Sequence, residues 1–295
     1  MSTPHRSGFA CFVGRPNAGK STLVNALVGQ KVAIVSDRPQ TTRRDIRGIV
    51  TTDRAQLVLT DTPGFHKPRT LLGSRLNELV GDAVGGVDVI VHVVDAAAGV
   101  GRGDAFVYQQ QVTRATGGRF CVLNKIDRLA HHLVVPQLAA AQALGPWDEI
   151  VPISASTGDG VEGLFGLLVD RMPEGPPLYP VEDVTDQPME VRLAELVREQ
   201  ALRVTREEVP HSVAVTIDEM EREEGLTKVH ASIVVERDSQ KGILIGKGGE
   251  TLKAIGSGAR PEMELLLGRK VFLGLHVKVM KEWQRDPKAL NRLGF

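Results

Sequence analysis

Eight residues near the N-terminus, Gly14-Arg15-Pro16-Asn17-Ala18-Gly19-Lys20-Ser21, have the types and spacing needed to wrap an anion. In such a loop the backbone N–H groups cradle phosphate oxygens, Lys20 reaches toward the β/γ-phosphates, and the Ser21 hydroxyl is a ligand for Mg²⁺. A helix expected to open at Lys20 turns its positive end toward the same anion, with Thr22 counted in its first turn. Asp61-Thr62-Pro63-Gly64 adds a carboxylate for the metal and, at Gly64, a backbone N–H for the γ-phosphate. Between them Gln40-Thr41-Thr42-Arg43-Arg44 offers a second hydroxyl, with Thr42 preferred over Thr41. The base is chosen by Asn124-Lys125-Ile126-Asp127. The Asp127 carboxylate accepts from the ring N–H and the exocyclic amine of guanine, two donors that adenine does not offer at that edge. Lys125 is expected to lie along the base, Asn124 to brace the loops, and Ser154-Ala155 to present a backbone N–H to the guanine carbonyl. The set predicts a GTP/GDP site with Mg²⁺ held by Ser21, Thr42 and Asp61, and it weighs heavily against an ATP-using enzyme.

Hydrolysis is less evident in the residues. Many GTPases carry a glutamine just after Asp-x-x-Gly to orient the attacking water, and here that position is Phe65. Slow intrinsic turnover is expected, resting on Lys20, Thr42 and Asn17, with a monovalent cation such as K⁺ held partly by Asn17 as the charge that an arginine finger supplies elsewhere. Loops that contact Mg²⁺ and the γ-phosphate order with it and relax after hydrolysis, so 31–48 and 65–74 are expected to be mobile.

These residues need a rigid frame. Apolar runs Phe9 to Val13, Gln56 to Thr60, Val89 to Val94, Arg119 to Asn124 and Glu149 to Ile153 alternate with helical patterns. That alternation predicts an α/β fold, a doubly wound parallel sheet, with ligands outside the carboxyl ends of its strands, where every motif above begins. Cys11 and Cys121 sit inside two of these runs, so neither a disulfide framework nor a metal spacing is expected. No apolar run is long enough for a membrane span, and the first residues lack a signal-peptide core. A cytoplasmic monomer is expected.

Between Met172 and Pro188 five prolines fall in seventeen residues, which reads as an extended linker. The boundaries expected are a nucleotide domain over 6–172, a linker over 173–189, a second domain over 190–281 and a tail over 282–295. Net charge is zero over 295 residues, but residues 227–295 hold 13 basic and 7 acidic side chains, behind an acidic segment over 176–226. The second domain reads as α-β-β-α-α-β: a helix over 191–208, strands over 212–217 and 228–235, helices from Glu250 and near Ala259 to Leu267, and a final strand over 270–279. Gly246-Lys247-Gly248-Gly249 is a Gly-x-x-Gly segment of the kind by which KH domains clamp about four nucleotides. Lys241, Lys247 and Lys253 supply counter-charge around it. Only 4% of residues are aromatic, which disfavours a base-stacking platform, and Phe272 and Trp283 read as core anchors.

The chain resembles the Era-type GTPases, a bacterial G domain followed by a smaller α+β type II KH domain. The resemblance rests on residues 14–21, Pro-Gln-Thr-Thr-Arg at 39–43, Asp-Thr-Pro-Gly-Phe-His-Lys-Pro at 61–68, Asn-Lys-Ile-Asp at 124–127, and Ser-Gln-Lys-Gly-Ile-Leu-Ile-Gly-Lys-Gly-Gly at 239–249. It implies Thr42 as the Mg²⁺ ligand, an apolar residue after Asp-Thr-Pro-Gly, binding of the 3′ end of 16S ribosomal RNA, a GTP-dependent role in 30S subunit assembly, and peripheral contact with the cytoplasmic membrane. The last strand departs from the family, with Gly274 and His276 where Glu and Trp are usual. A nucleotide-gated adaptor that uses the KH-like fold as a protein scaffold is the alternative reading of the same residues.

Overall fold

Continuous apolar runs build the first sheet, and one-sided apolar alternation builds the second. The computed structural model describes residues 4–38, 40–65, 68, 70–205 and 209–295, and these divide into two compact units. The first comprises Met1–Val35, Thr42–Pro68 and Gly73–Asp186. Its strands are β1 (Arg6–Val13), β2 (Ile46–Thr51), β3 (Ala55–Asp61), β4 (Val89–Asp95), β5 (Gly118–Asn124) and β6 (Glu149–Pro152). They lie in the order β2-β3-β1-β4-β5-β6, parallel except for β2. Along β1, Ala10 and Phe12 face one apolar layer while Cys11 and Val13 face the other. Helices α1 (Lys20–Val28) and α5 (Val161–Arg171) pack on the first face, through Leu23, Val24, Leu27, Leu164 and Leu168. Helices α2 (Leu71–Val84) and α3 (Arg102–Gln110) cover the second through Val80, Val84, Val107 and Tyr108, and α4 (Val134–Gln142) completes it beside β5. Two-sided burial of this kind is why the strands read as continuous apolar runs.

Strand β2 was not expected: Ile46 to Gly48 lie in a segment read as mobile. Arg47 and Gly48 interrupt its apolar run, and pairing with the fully buried β3 supplies the ladder that propensity does not. The proline-rich stretch is extended, as its composition demands, yet it is docked rather than free through residue 186. Ser7 N–H donates to the Pro173 carbonyl at 3.0 Å and Ile49 N–H to Val184 at 2.9 Å. The Gln56 side-chain oxygen accepts from Leu178 and Tyr179 at 2.6 and 2.8 Å. Prolines cost donors, but the remaining groups find partners along the sheet edge.

The second unit is Gln187–Phe295 with Ser36–Thr41 and Arg69–Leu72. Its strands β7 (Ala214–Glu223), β8 (Leu226–Val235) and β9 (Lys270–Val279) lie in that order, β7 antiparallel and β9 parallel to β8. Helices α6 (Met189–Val204), the single-turn α7 (Val209–Ser212), α8 (Asp238–Ile245), α9 (Glu250–Leu267) and α10 (Pro287–Leu293) complete it. Two expectations change here. The helices around the Gly-x-x-Gly segment are α8 and α9, because α9 runs unbroken through Gly256, Gly258 and Pro261. Ile255, Ala259 and Met263 keep one buried stripe at i, i+4 spacing, and burial of that stripe outweighs the local helix breakers. The C-terminal stretch is also structured: Trp283, Leu290 and Leu293 are buried, the Trp283 indole N–H donates to the Ser212 carbonyl at 3.0 Å, and its ring stacks on Phe295. Of the segment expected to be mobile, Thr41 receives a hydrogen bond on its carbonyl from the buried Arg198, and Arg38 donates to Thr205 at 3.1 Å.

Candidate nucleotide site and nucleic-acid groove

The strand ends β1, β3, β4 and β5 place the nucleotide motifs side by side. Lys20 is the first residue of α1, buried, and its ammonium donates to the Gly14 and Arg15 carbonyls at 3.2 and 3.1 Å. Burial lowers its pKa to about 8, a pull that the Asp61 carboxylate opposes. Three oxygens meet beside it. Ser21 Oγ donates to Asp61 Oδ2 at 2.7 Å, Thr42 Oγ1 donates to the same oxygen at 3.1 Å, and the two hydroxyls are 3.0 Å apart. Asp61 is fully buried, its other oxygen, Oδ1, has no partner among the described residues, and burial raises its pKa. A hard, oxygen-preferring divalent cation suits this set. Thr41 is not part of it; its hydroxyl donates to the Arg38 carbonyl at 2.7 Å.

The base-side residues are already locked together. Asn124 is buried, with its amide donating to the Ala18 carbonyl at 2.9 Å and its oxygen accepting from Lys125 and Ala155 N–H at 2.8 and 3.0 Å. Lys125 adopts a left-handed conformation, φ 68°, sparsely populated for a side-chain-bearing residue. Its ammonium is pinned by Asp95 and by the Asn17 carbonyl, both at 2.6 Å. Asp127 accepts from Ser154 Oγ at 2.6 Å. The Ser154 and Ala155 N–H groups, expected for the guanine carbonyl, are engaged by Asp159 and Asn124. A guanine carbonyl there must share one of those donors.

Two acidic residues were missed from sequence. Asp95, at the end of β4, holds Lys125, and Asp104, fully buried in the first turn of α3, accepts from Arg15 Nε at 2.8 Å and from Gly101 N–H at 2.9 Å. Arg15 also donates to the Gly99 carbonyl at 3.2 Å, so its guanidinium serves to tie the loop to α3 and its contribution to an anion is through the backbone. A carboxylate at a strand end was the available signal for Asp95; Asp104 had none. Pro16, Ala18 and Gly19 complete the loop, and Phe65 N–H donates to the Gly14 carbonyl at 3.3 Å, which places Gly64 beside it. The Phe65 ring stacks on Phe106 with centroids 5.5 Å apart.

In the second unit α8 ends and α9 begins at Gly246-Lys247-Gly248-Gly249. Gly246, Gly248 and Gly249 have φ of 73°, 62° and 84°, a sequence of turns that only glycines take without strain. Lys247 is exposed at the tip, and Lys241 lies on α8. Beside the loop runs a groove of about 600 Å³ between α9 and β9. Lys253 and Arg260 line it with Gly249, Gly256 and Ser257, over an apolar floor of Leu252, Leu273 and Leu275. Phe272 lines it too and is 52% exposed, so it is not the core anchor expected; Trp283 is.

The 50S ribosome-binding GTPase family matches residues 9–125, and the KH domain family matches residues 208–284. GTPase Era of Mycolicibacterium smegmatis is 54% identical over 300 residues, covering 99% of this chain and 100% of that protein. The chain belongs to the Era GTPases. GTPase Era of Mycobacterium tuberculosis is likewise 54% identical, over 99% of this chain and its own full length. Among solved structures, Era in complex with MgGDPNP and nucleotides 1506–1542 of 16S ribosomal RNA has a TM-score of 0.95 and 38% identity, covering 98% of this chain and 99% of that one. An Aquifex aeolicus Era variant bound to GDP and AlF4⁻ matches equally well. The family accounts for a G domain joined to a KH domain, the two units seen here. Among the described residues no helix is long and apolar enough to cross a membrane.

Proposed function

We propose that the chain is a Mg²⁺-dependent GTP-hydrolysing switch whose KH domain binds the 3′ end of 16S ribosomal RNA during 30S subunit assembly in the cytoplasm. The observation that carries this reading is the correspondence, over 98% of the chain, with an Era solved with both a GTP analogue and that RNA segment. It is supported by the convergence of Ser21, Thr42 and Asp61 and by the groove at the Gly-x-x-Gly loop. When bound, Mg²⁺ neutralises charge on the β- and γ-phosphates. Ser21, Thr42 and Asp61 would hold it. Lys20 exchanges its loop carbonyls for phosphate oxygens, the phosphate-loop backbone orients them, and Asp127, fixed by Ser154, reads guanine.

No side chain at Phe65 orients water, since that ring is stacked on Phe106. Intrinsic hydrolysis is therefore slow, with positioning left to Lys20 and Thr42 and to a monovalent cation held partly by Asn17. Faster turnover in K⁺ than in Na⁺ is the expected result; equal rates remove the cation. The main test is affinity for a short strand matching the 16S 3′ end, with the protein loaded in turn with GDP and with a non-hydrolysable GTP analogue. Tighter binding in the GTP-like state supports a nucleotide-coupled RNA switch, and absence of binding in both states overturns it.

A further inference from the structure

The groove occupies one side of β9, and the opposite face of that edge strand carries groups that a packed core does not need. Val271, Leu273, Leu275 and Val277 point inward to the apolar core, so Lys270, Phe272, Gly274, His276 and Lys278 share the open face. Phe272 is half exposed there. Its ring neighbour is His230 of β8, with centroids 5.9 Å apart and planes at 58°. His230 is exposed and lies over Gly274, where a Cβ would come within 2.6 Å of its Nδ1. Glycine at 274 thus makes room for the imidazole beside Phe272, and the exposed His276 follows two residues on.

We propose that this strip is a stacking platform for nucleotides that flank the strand held in the groove. The inference rests on RNA binding at that groove. Two observations select single-stranded RNA as the occupant. The first is continuity: Phe272 lines the groove and also stands on the open face, so a strand leaving the groove passes directly over it. The second is charge. The outward residues of β9 include Lys270 and Lys278 and no acid, whereas β7, at the far edge, carries Glu219, Glu221 and Glu223. Lys270 and Lys278 pair with Glu264 and Asp218 at 3.5 and 3.1 Å, but these are exposed pairs of the weak kind, from which a phosphate can recruit the cation. Base–aromatic stacking is tolerant of sequence, which suits contacts outside the four nucleotides that a KH loop clamps. Low aromatic content argued against a stacking platform from sequence; the fold builds one from a single phenylalanine and two imidazoles.

The experiment uses the full-length protein and two RNAs: a tetranucleotide that fills the groove, and a dodecamer that contains it and carries 2-aminopurine at the flanking positions. Phe272→Ala is expected to weaken the dodecamer by about five- to a hundredfold, the range of one stacked base, and to abolish quenching of the flanking 2-aminopurine. Its effect on the tetranucleotide, read by competition, should be smaller than on the dodecamer, because Phe272 also lines the groove, and His276→Ala, outside the groove, should leave the tetranucleotide within about twofold. Phe272→Leu keeps apolar bulk without a ring and should behave as Phe272→Ala, with His276→Ala intermediate. Unchanged dodecamer affinity, full rescue by leucine, or equal losses on both RNAs would overturn the platform and leave this face to another occupant, such as a protein surface. Failure of the unaltered protein to bind either RNA would instead sink the groove reading itself.

Discussion

The two ligand-facing regions are built on opposite principles. In the nucleotide site the polar side chains are already bonded to one another around a few buried members: Asn124, buried, to three backbone partners, Lys125 to Asp95 and Asn17, Asp127 to Ser154, and Arg15 to the buried Asp104. In the KH unit the polar groups aimed at a ligand are exposed, and the groove floor is apolar with small residues. A partly buried, mutually bonded network fixes geometry for one small ligand, and its buried members are costly to remove singly. An open cationic groove accepts a flexible polymer, spreads its affinity over many weak contacts and pays with salt sensitivity.

That contrast sets an order of effects. Asp127→Asn should be the largest: guanine affinity falls by about a hundredfold or more while xanthine nucleotides gain, because a site built to pair specific donors rejects their absence. Competition between GTP and xanthosine triphosphate measures it, and retained guanine preference would place base selection elsewhere. Arg15→Ala strands the Asp104 carboxylate with one backbone partner, so unfolding in urea should lose about 2 kcal/mol. A shift of only a few tenths would mean that this network is not held as a unit.

His92 sharpens the contrast from inside the first unit, for it is buried and polar yet outside the network. Both ring nitrogens lack partners among the described residues, and burial, aided by Lys20 and Arg15, lowers its pKa to about 3. The unfolded chain takes up this proton near pH 6.5, while the folded chain refuses it until about pH 3. Its contribution to stability is therefore complete above pH 6.5 and lost as pH falls through that window, with a slope of at most about 1.4 kcal/mol per pH unit. In His92→Phe the stability curve should be flatter between pH 6.5 and 4.5 by that amount; an unaltered curve would show that the imidazole titrates normally. The smallest effect belongs to the open groove. Lys247→Ala should weaken RNA binding by about fivefold and reduce the salt slope by about one, with GTP affinity unchanged. A loss as large as that of Asp127→Asn would erase the distinction between the regions.

The ligand-facing residues were legible because phosphate, metal and base each demand fixed residue types at fixed spacing. Lys20, Ser21, Thr42, Asp61 and Asp127 stand where the motifs put them, and five of the six strands of the first sheet were visible as apolar runs. Strand β2 was not, since its signal is pairing with β3 rather than its own composition. Helix α9 was split in reading because Gly256, Gly258 and Pro261 are local breakers, and only packing overrides them. Asp95 and Asp104 escaped notice for a related reason: their partners are 30 and 89 residues away.

Sequence alone determined that the chain pairs a guanine-nucleotide loop set with a Gly-x-x-Gly clamp, for those are local patterns whose chemistry follows from residue type and order. Tertiary structure decided that Thr42 rather than Thr41 meets Ser21 and Asp61, that Arg15 turns to Asp104, and that Phe272 stands half in solvent beside His230. Each of these depends on which face of which element meets a distant neighbour, and burial, charge and ring contacts take their energies only from that meeting.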